Sequence, residues 1–104
     1  MEQKEKHRFL FMQLVFSLHS ATMQQLGKVK NPLSDKIERD LQGAQASIDM
    51  LDMIREKTKG NLTDDEERFL SQILHELRLN YVDEAGKPEP SAGHGDSSTG
   101  EKQG

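Results

Sequence analysis

Few residues in this chain could do chemistry. Asp49 and Asp52 lie three apart in a helical stretch and would share a face. Paired carboxylates of this kind can move a proton or hold a hard metal ion. His19 and Met23 lie four apart, a spacing that could place both on one metal. No second histidine or acid stands three or four residues from His19, so it reads as a surface or interface histidine. There is no cysteine, which removes disulfides, thiolate metal sites and thiol nucleophiles together. No glycine-rich phosphate loop and no nucleophile beside a base can be found. The expectation is a non-catalytic protein with no cofactor, no metal and no small-molecule substrate. A metal-dependent hydrolase built on Asp49 is the remote alternative.

The segment densest in special residues is Glu56–Arg68, "EKTKGNLTDDEER". It reads as a corner between two helices. Lys57 and Lys59 suit the negative end of a helix, and Gly60 can take the positive φ that closes one. Thr63 and Glu66 have the spacing of a capping box, in which each side chain bonds the other's backbone N–H. Asn61 spans the gap, and Leu62 can drop onto the core. The acids Asp64 to Glu67 occupy the positive helix end and would repel an anion there. They are consecutive, whereas a calcium loop needs alternating oxygen ligands. Asn61-Leu62-Thr63 also matches a glycan acceptor, which matters only in a secreted protein.

These residues must be positioned by helices. The first is expected from Lys6 to Leu26, stopped by Gly27. The second begins at Ser34 or Asp35, after Pro32, and carries a seam of Ile37, Leu41, Ala44, Ile48 and Leu51 at steps of 4, 3, 4 and 3. Gly43 within it weakens the helix by about 1 kcal/mol against alanine unless a neighbour approaches closely. The third runs from Thr63 to Val82 with Leu70, Leu74, Leu77 and Tyr81 on one stripe. The expected fold is all-α: an N-terminal helix plus an antiparallel helical hairpin, assembled as a dimeric bundle. Residues 1–5 are expected to be flexible and 6–82 to form a single domain. Residues 83–104 read as a disordered, acidic Gly/Ser/Pro-rich tail. An Asp49–Arg78 ion pair would join the second and third helices.

From Asp83 onward there are five acids and two bases, leaving 12 bases against 13 acids in residues 1–82. So near-neutral a body predicts no nucleic-acid partner. The apolar run Phe9–Leu18 is broken by Gln13 and Ser17 and is too short to span a bilayer, which takes about 20 residues. Glu2 and Glu5 precede it, against a signal peptide. A cytoplasmic location is expected.

The stretches "LVFSLHSATMQQLG", "DLQGAQASIDMLDMIREKTKGNLTDDEERFL" and "ELRLNYV", with "NP" between the first two, resemble the small bacterial proteins of the domain of unknown function 1844 family. The resemblance covers Phe9 to Val82. It rests most on Ile48-Asp49, Lys57 through Thr63, and Leu77-Arg78. It implies a short all-helical bacterial protein and no particular activity.

The first helix carries the strongest functional signal. Phe9, Leu10, Phe11, Met12, Leu14, Val15, Phe16 and Leu18 point in nearly every direction around its axis, so it should be covered on more than one side. Phe9, Phe11, Met12, Val15 and Phe16, with Met50, Met53 and Ile54 of the second helix, are the candidate interface. A second copy of the chain or another helical protein is the expected partner. The competing reading lays the first helix on an anionic membrane, behind Lys4, Lys6, His7 and Arg8.

Overall fold

The structure, a computed structural model, describes residues 2–88. It contains three helices: α1 (Gln3–Gln25), α2 (Leu41–Lys57) and α3 (Asp64–Ala85). Asp40 N–H, at the start of α2, bonds the Gln25 carbonyl at the end of α1, and Ser47, further along α2, donates to the Gln25 side chain at 2.7 Å, so these two helices are antiparallel. α3 returns parallel to α1, as three cross-links at matching heights show. These are Arg8–Asp65 at 3.7 Å, His19–Glu76 at 3.5 Å and Lys28–Asp83 at 2.9 Å. The core lies along the line where the three helices meet. Val15 and Leu26 supply it from α1 and its end, Ala44, Ile48 and Leu51 from α2, and Leu70, Ile73, Leu74 and Leu77 from α3.

α1 starts at Gln3, inside the segment expected to be flexible. It closes in a Schellman arrangement, with Lys28 N–H on the Met23 carbonyl and Gly27 N–H on the Gln24 carbonyl. The largest departure from expectation is the start of α2. Its N-cap is Asp40, whose carboxylate accepts from Gly43 N–H at 3.0 Å, and not Ser34 or Asp35. Local chemistry around Pro32 takes those residues for a turn instead. The Asn31 side chain accepts from Leu33 N–H, Asn31 N–H bonds the Lys36 carbonyl, and Asp35 takes a positive φ of 58°. Ile37 therefore lies outside the seam it was expected to head, whereas Ala44, Ile48 and Leu51 are buried.

α3 runs three residues past the expected end at Val82. The residue that extends it is Glu84, only 5% exposed. Its carboxylate accepts from Lys28 at 2.9 Å and lies 3.5 Å from Arg39, and the Arg39 guanidinium also donates to the Glu84 and Lys87 carbonyls. The cations come from the connection between α1 and α2, so composition downstream of Val82 could not reveal this anchor. The expected tail thus begins later than Asp83; its remainder, residues 89–104, lies outside the described residues.

Candidate interaction surface

The corner between α2 and α3 is built as a stop and a start. Gly60 has φ +86°, and Thr58 caps α2. Glu66 N–H donates to the Thr63 hydroxyl at 3.1 Å, and Thr63 N–H to the Glu66 carboxylate at 2.8 Å. Leu62 packs against the core, and Lys57 and Asn61 are exposed. The Thr58, Thr63 and Glu66 side chains are occupied by backbone groups of the helix ends. A groove of about 610 Å³ opens beside the corner, lined by Phe11 and Leu62 together with Lys4, Arg8, Glu5 and the buried Glu66. Its mixed charges converge on no single ligand chemistry.

The expected Asp49–Arg78 pair does not form. Asp49 is exposed and accepts from Gln45, one turn before it on α2. Arg78 instead meets Asp52 at 3.3 Å, and Asp52 is also held by Arg55 at 3.1 Å. The helical phase decides this: Asp52 lies next to the α2 seam on the α3 side, and Asp49 is rotated outward. The two aspartates are therefore engaged separately. Among the described residues, no group of three or more His, Cys, Asp or Glu side chains could hold a metal ion. His19 stacks on Phe16, with ring centroids 5.8 Å apart. It acquires its acidic neighbour, Glu76, from another helix, which spacing along α1 could not show.

The expected interface residues separate into two sets. Val15 is fully buried, and Phe11 and Ile54 pack against the core. Those three hold the fold together and are corrected as interface candidates. Each lies on the stripe facing the other two helices: Phe11, Val15, Leu18 and Thr22 advance by three or four residues along α1. Phe9 and Phe16 remain 58% exposed, Met50 and Met53 about half exposed, and Met12 half-buried. Leu10 and Leu14, left out of the expected interface, are also about half exposed.

At about 100° per residue, these positions form two apolar ridges on α1. Phe9, Met12 and Phe16 run along the α3 side, and Leu10 and Leu14 along the α2 side. Between them lies a strip of Gln13, Ser17, Ser20 and Gln24. No Asp, Glu, Lys or Arg occurs between Arg8 and Lys28, so the outward face of α1 is free of formal charge over most of its length. The outward faces of the other helices are charged, with Asp49, Glu56 and Lys57 on α2 and Asp64, Glu67, Arg68 and Arg78 on α3.

The family model described as "Domain of unknown function (DUF1844)" matches residues 8–83. The chain belongs to the DUF1844 family. No curated protein and no solved structure matches it. The matched span takes in most of α1, all of α2 and nearly all of α3, so both the corner and the charge-free face lie inside the DUF1844 domain.

Proposed function

We propose that this DUF1844 chain is a non-catalytic helical interaction module, working in the cytoplasm, that associates through the outward face of α1. The charge-free face carries the reading. Interfaces are depleted of charge at their centre and enriched in Phe and Met, and this is the one helix with both properties. Single exposed apolar residues need no explanation. Four large ones on one helix, with Met50 on its neighbour, make a patch that a partner would cover.

The membrane alternative explains the same residues less well. No helix among the described residues is long and apolar enough to cross a membrane. Interfacial binding would have to sink the central strip of Gln13, Ser17, Ser20 and Gln24 toward the acyl chains, where their polar groups lack partners. A facing protein helix offers hydrogen bonds instead.

Affinity capture from the native cell with the full chain and with Phe9→Glu/Phe16→Glu tests the proposal. The variant should fold, because both side chains are exposed, and should lose its specific partner at least tenfold. Equal capture by both proteins contradicts the reading. Flotation with anionic liposomes should leave the protein unbound; co-flotation abolished by the same variant would favour the membrane.

A further inference from the structure

We infer that the occupant of the α1 face is a second copy of this chain, with the two α1 helices packed antiparallel about a two-fold axis between Leu18 and His19. The inference rests on the association reading above and adds the partner and the register.

The strip at the centre of the face is Gln13, Ser17, Ser20 and Gln24, at steps of 4, 3 and 4. It reads the same from either end: glutamine, serine, serine, glutamine. A two-fold interface requires such self-complementarity, because each residue meets its symmetry-related position. With the axis at the midpoint, Ser17 faces the partner's Ser20 and Gln13 faces the partner's Gln24. The two serines are short and allow close approach at the centre. The two glutamines can exchange amide hydrogen bonds toward the ends.

The flanks fit the same operation. An antiparallel two-fold turns each side of α1 onto its own counterpart. Leu14 and Ala21 then meet the partner's Leu14 and Ala21 side, and Phe16 and Met23 meet the partner's Phe16 and Met23 side. A parallel arrangement would instead set the Phe16 ridge against the Leu14 ridge and each residue of the central strip against its own copy. By helical phase Met50 lies on the α1 side of α2, beside the Leu14 ridge, whereas Met53 points directly away from the core.

The area suffices. A helix face about 26 Å long presents on the order of 500 Å² per protomer. With Met50 added on both copies, the total reaches the roughly 1,000 Å² that a specific interface needs. No formal charge on α1 from Phe9 to Gly27 has to be desolvated to bury it.

Light scattering after gel filtration at tens of micromolar, combined with a spin-label distance, tests the inference. The wild-type chain should run as a dimer. Ser17→Glu/Ser20→Glu should run as a monomer with unchanged helical circular dichroism, because both side chains are exposed. Ser17→Ala/Ser20→Ala should remain dimeric. The chain has no native cysteine, so Gln3→Cys accepts a single nitroxide. Antiparallel pairing places the two labels about 45 Å apart, against less than about 25 Å for parallel pairing. A monomeric wild type, a dimer that survives Ser17→Glu/Ser20→Glu, or the short label distance overturns the inference. A monomer that still captures a partner lost in Phe9→Glu/Phe16→Glu overturns the self-pairing alone and leaves association through α1 standing.

Discussion

Arg78 shows how narrowly a residue's role depends on helical phase. From the sequence it faced Asp49; in the fold it meets Asp52, three residues on. A double-mutant cycle should find a coupling of about 0.5 kcal/mol for Asp52 with Arg78, as for other half-exposed pairs, and none for Asp49 with Arg78. Coupling at Asp49 instead would contradict the observed register. Gly43 makes the same point. Propensity alone says that Gly43→Ala should stabilise α2 by about 1 kcal/mol. A Cβ at that position would lie 2.9 Å from the Gln25 amide nitrogen and 2.5 Å from the capping Asp40 carboxylate. The Asp40 cap and the Gln25–Ser47 bond both hold that space, so Gly43→Ala should destabilise the protein in chemical denaturation, by about 1 kcal/mol. A gain in stability would show that the approach of α1 to α2 is looser than described.

At the scale of elements, the α2–α3 corner was legible because its signals are local. Gly60, Thr63 and Glu66 act on backbone within three residues of themselves, and Thr63→Ala should cost about 1 kcal/mol with no effect on association. The start of α2 and the end of α3 were not legible, because distant residues decide them. Asp40 caps α2 while its own N–H bonds the Gln25 carbonyl, and Glu84 is held by Lys28 and Arg39. Removing that carboxylate in Glu84→Ala should cost about 3 kcal/mol, because Lys28 and the buried Arg39 lose a buried carboxylate that they share. The same cluster sets a pH dependence. Hydrogen bonds from Lys28 and then Lys87 hold Asp83 below its usual range; for Glu84 the Lys28 bond is the largest effect and outweighs the opposing cost of burial. Hydrogen bonds to Asp83 and Glu84 raise Lys28 in turn. The stabilisation from Glu84 is therefore complete above its ordinary 4.5 and is lost as pH falls through the lower folded value. That from Lys28 is complete below its ordinary 10.5 and fades only as pH rises past the higher folded value. Thermal melts of the wild type should fall on the acid side of pH 4.5, and Glu84→Gln should flatten that limb. An unchanged acid limb in the variant would place the loss elsewhere.

At the scale of the molecule, three helices bury one line of side chains and leave one helix face with neither charge nor cover. That α1 had apolar residues to spare was plain from the run Phe9–Leu18. How they divide was not. Val15, Phe11 and Ile54 went to the core, and Leu10 and Leu14 joined the surface, because the division depends on where α2 and α3 lie rather than on α1. The surface is therefore best tested by its accessibility. In the single chain Phe9, Phe16 and Leu79 are equally exposed, at 58%, and Val82 more so, at 71%. Leu79 and Val82 lie on α3, away from the proposed contact. Hydroxyl-radical footprinting of the protein at its working concentration and after dilution compares the two groups directly. The account predicts that Phe9, Leu14 and Phe16 are protected several-fold when concentrated and lose that protection on dilution, while Leu79 and Val82 label alike in both. Labelling of Phe9, Leu14 and Phe16 that is the same at both concentrations and in the cell extract would contradict association through α1.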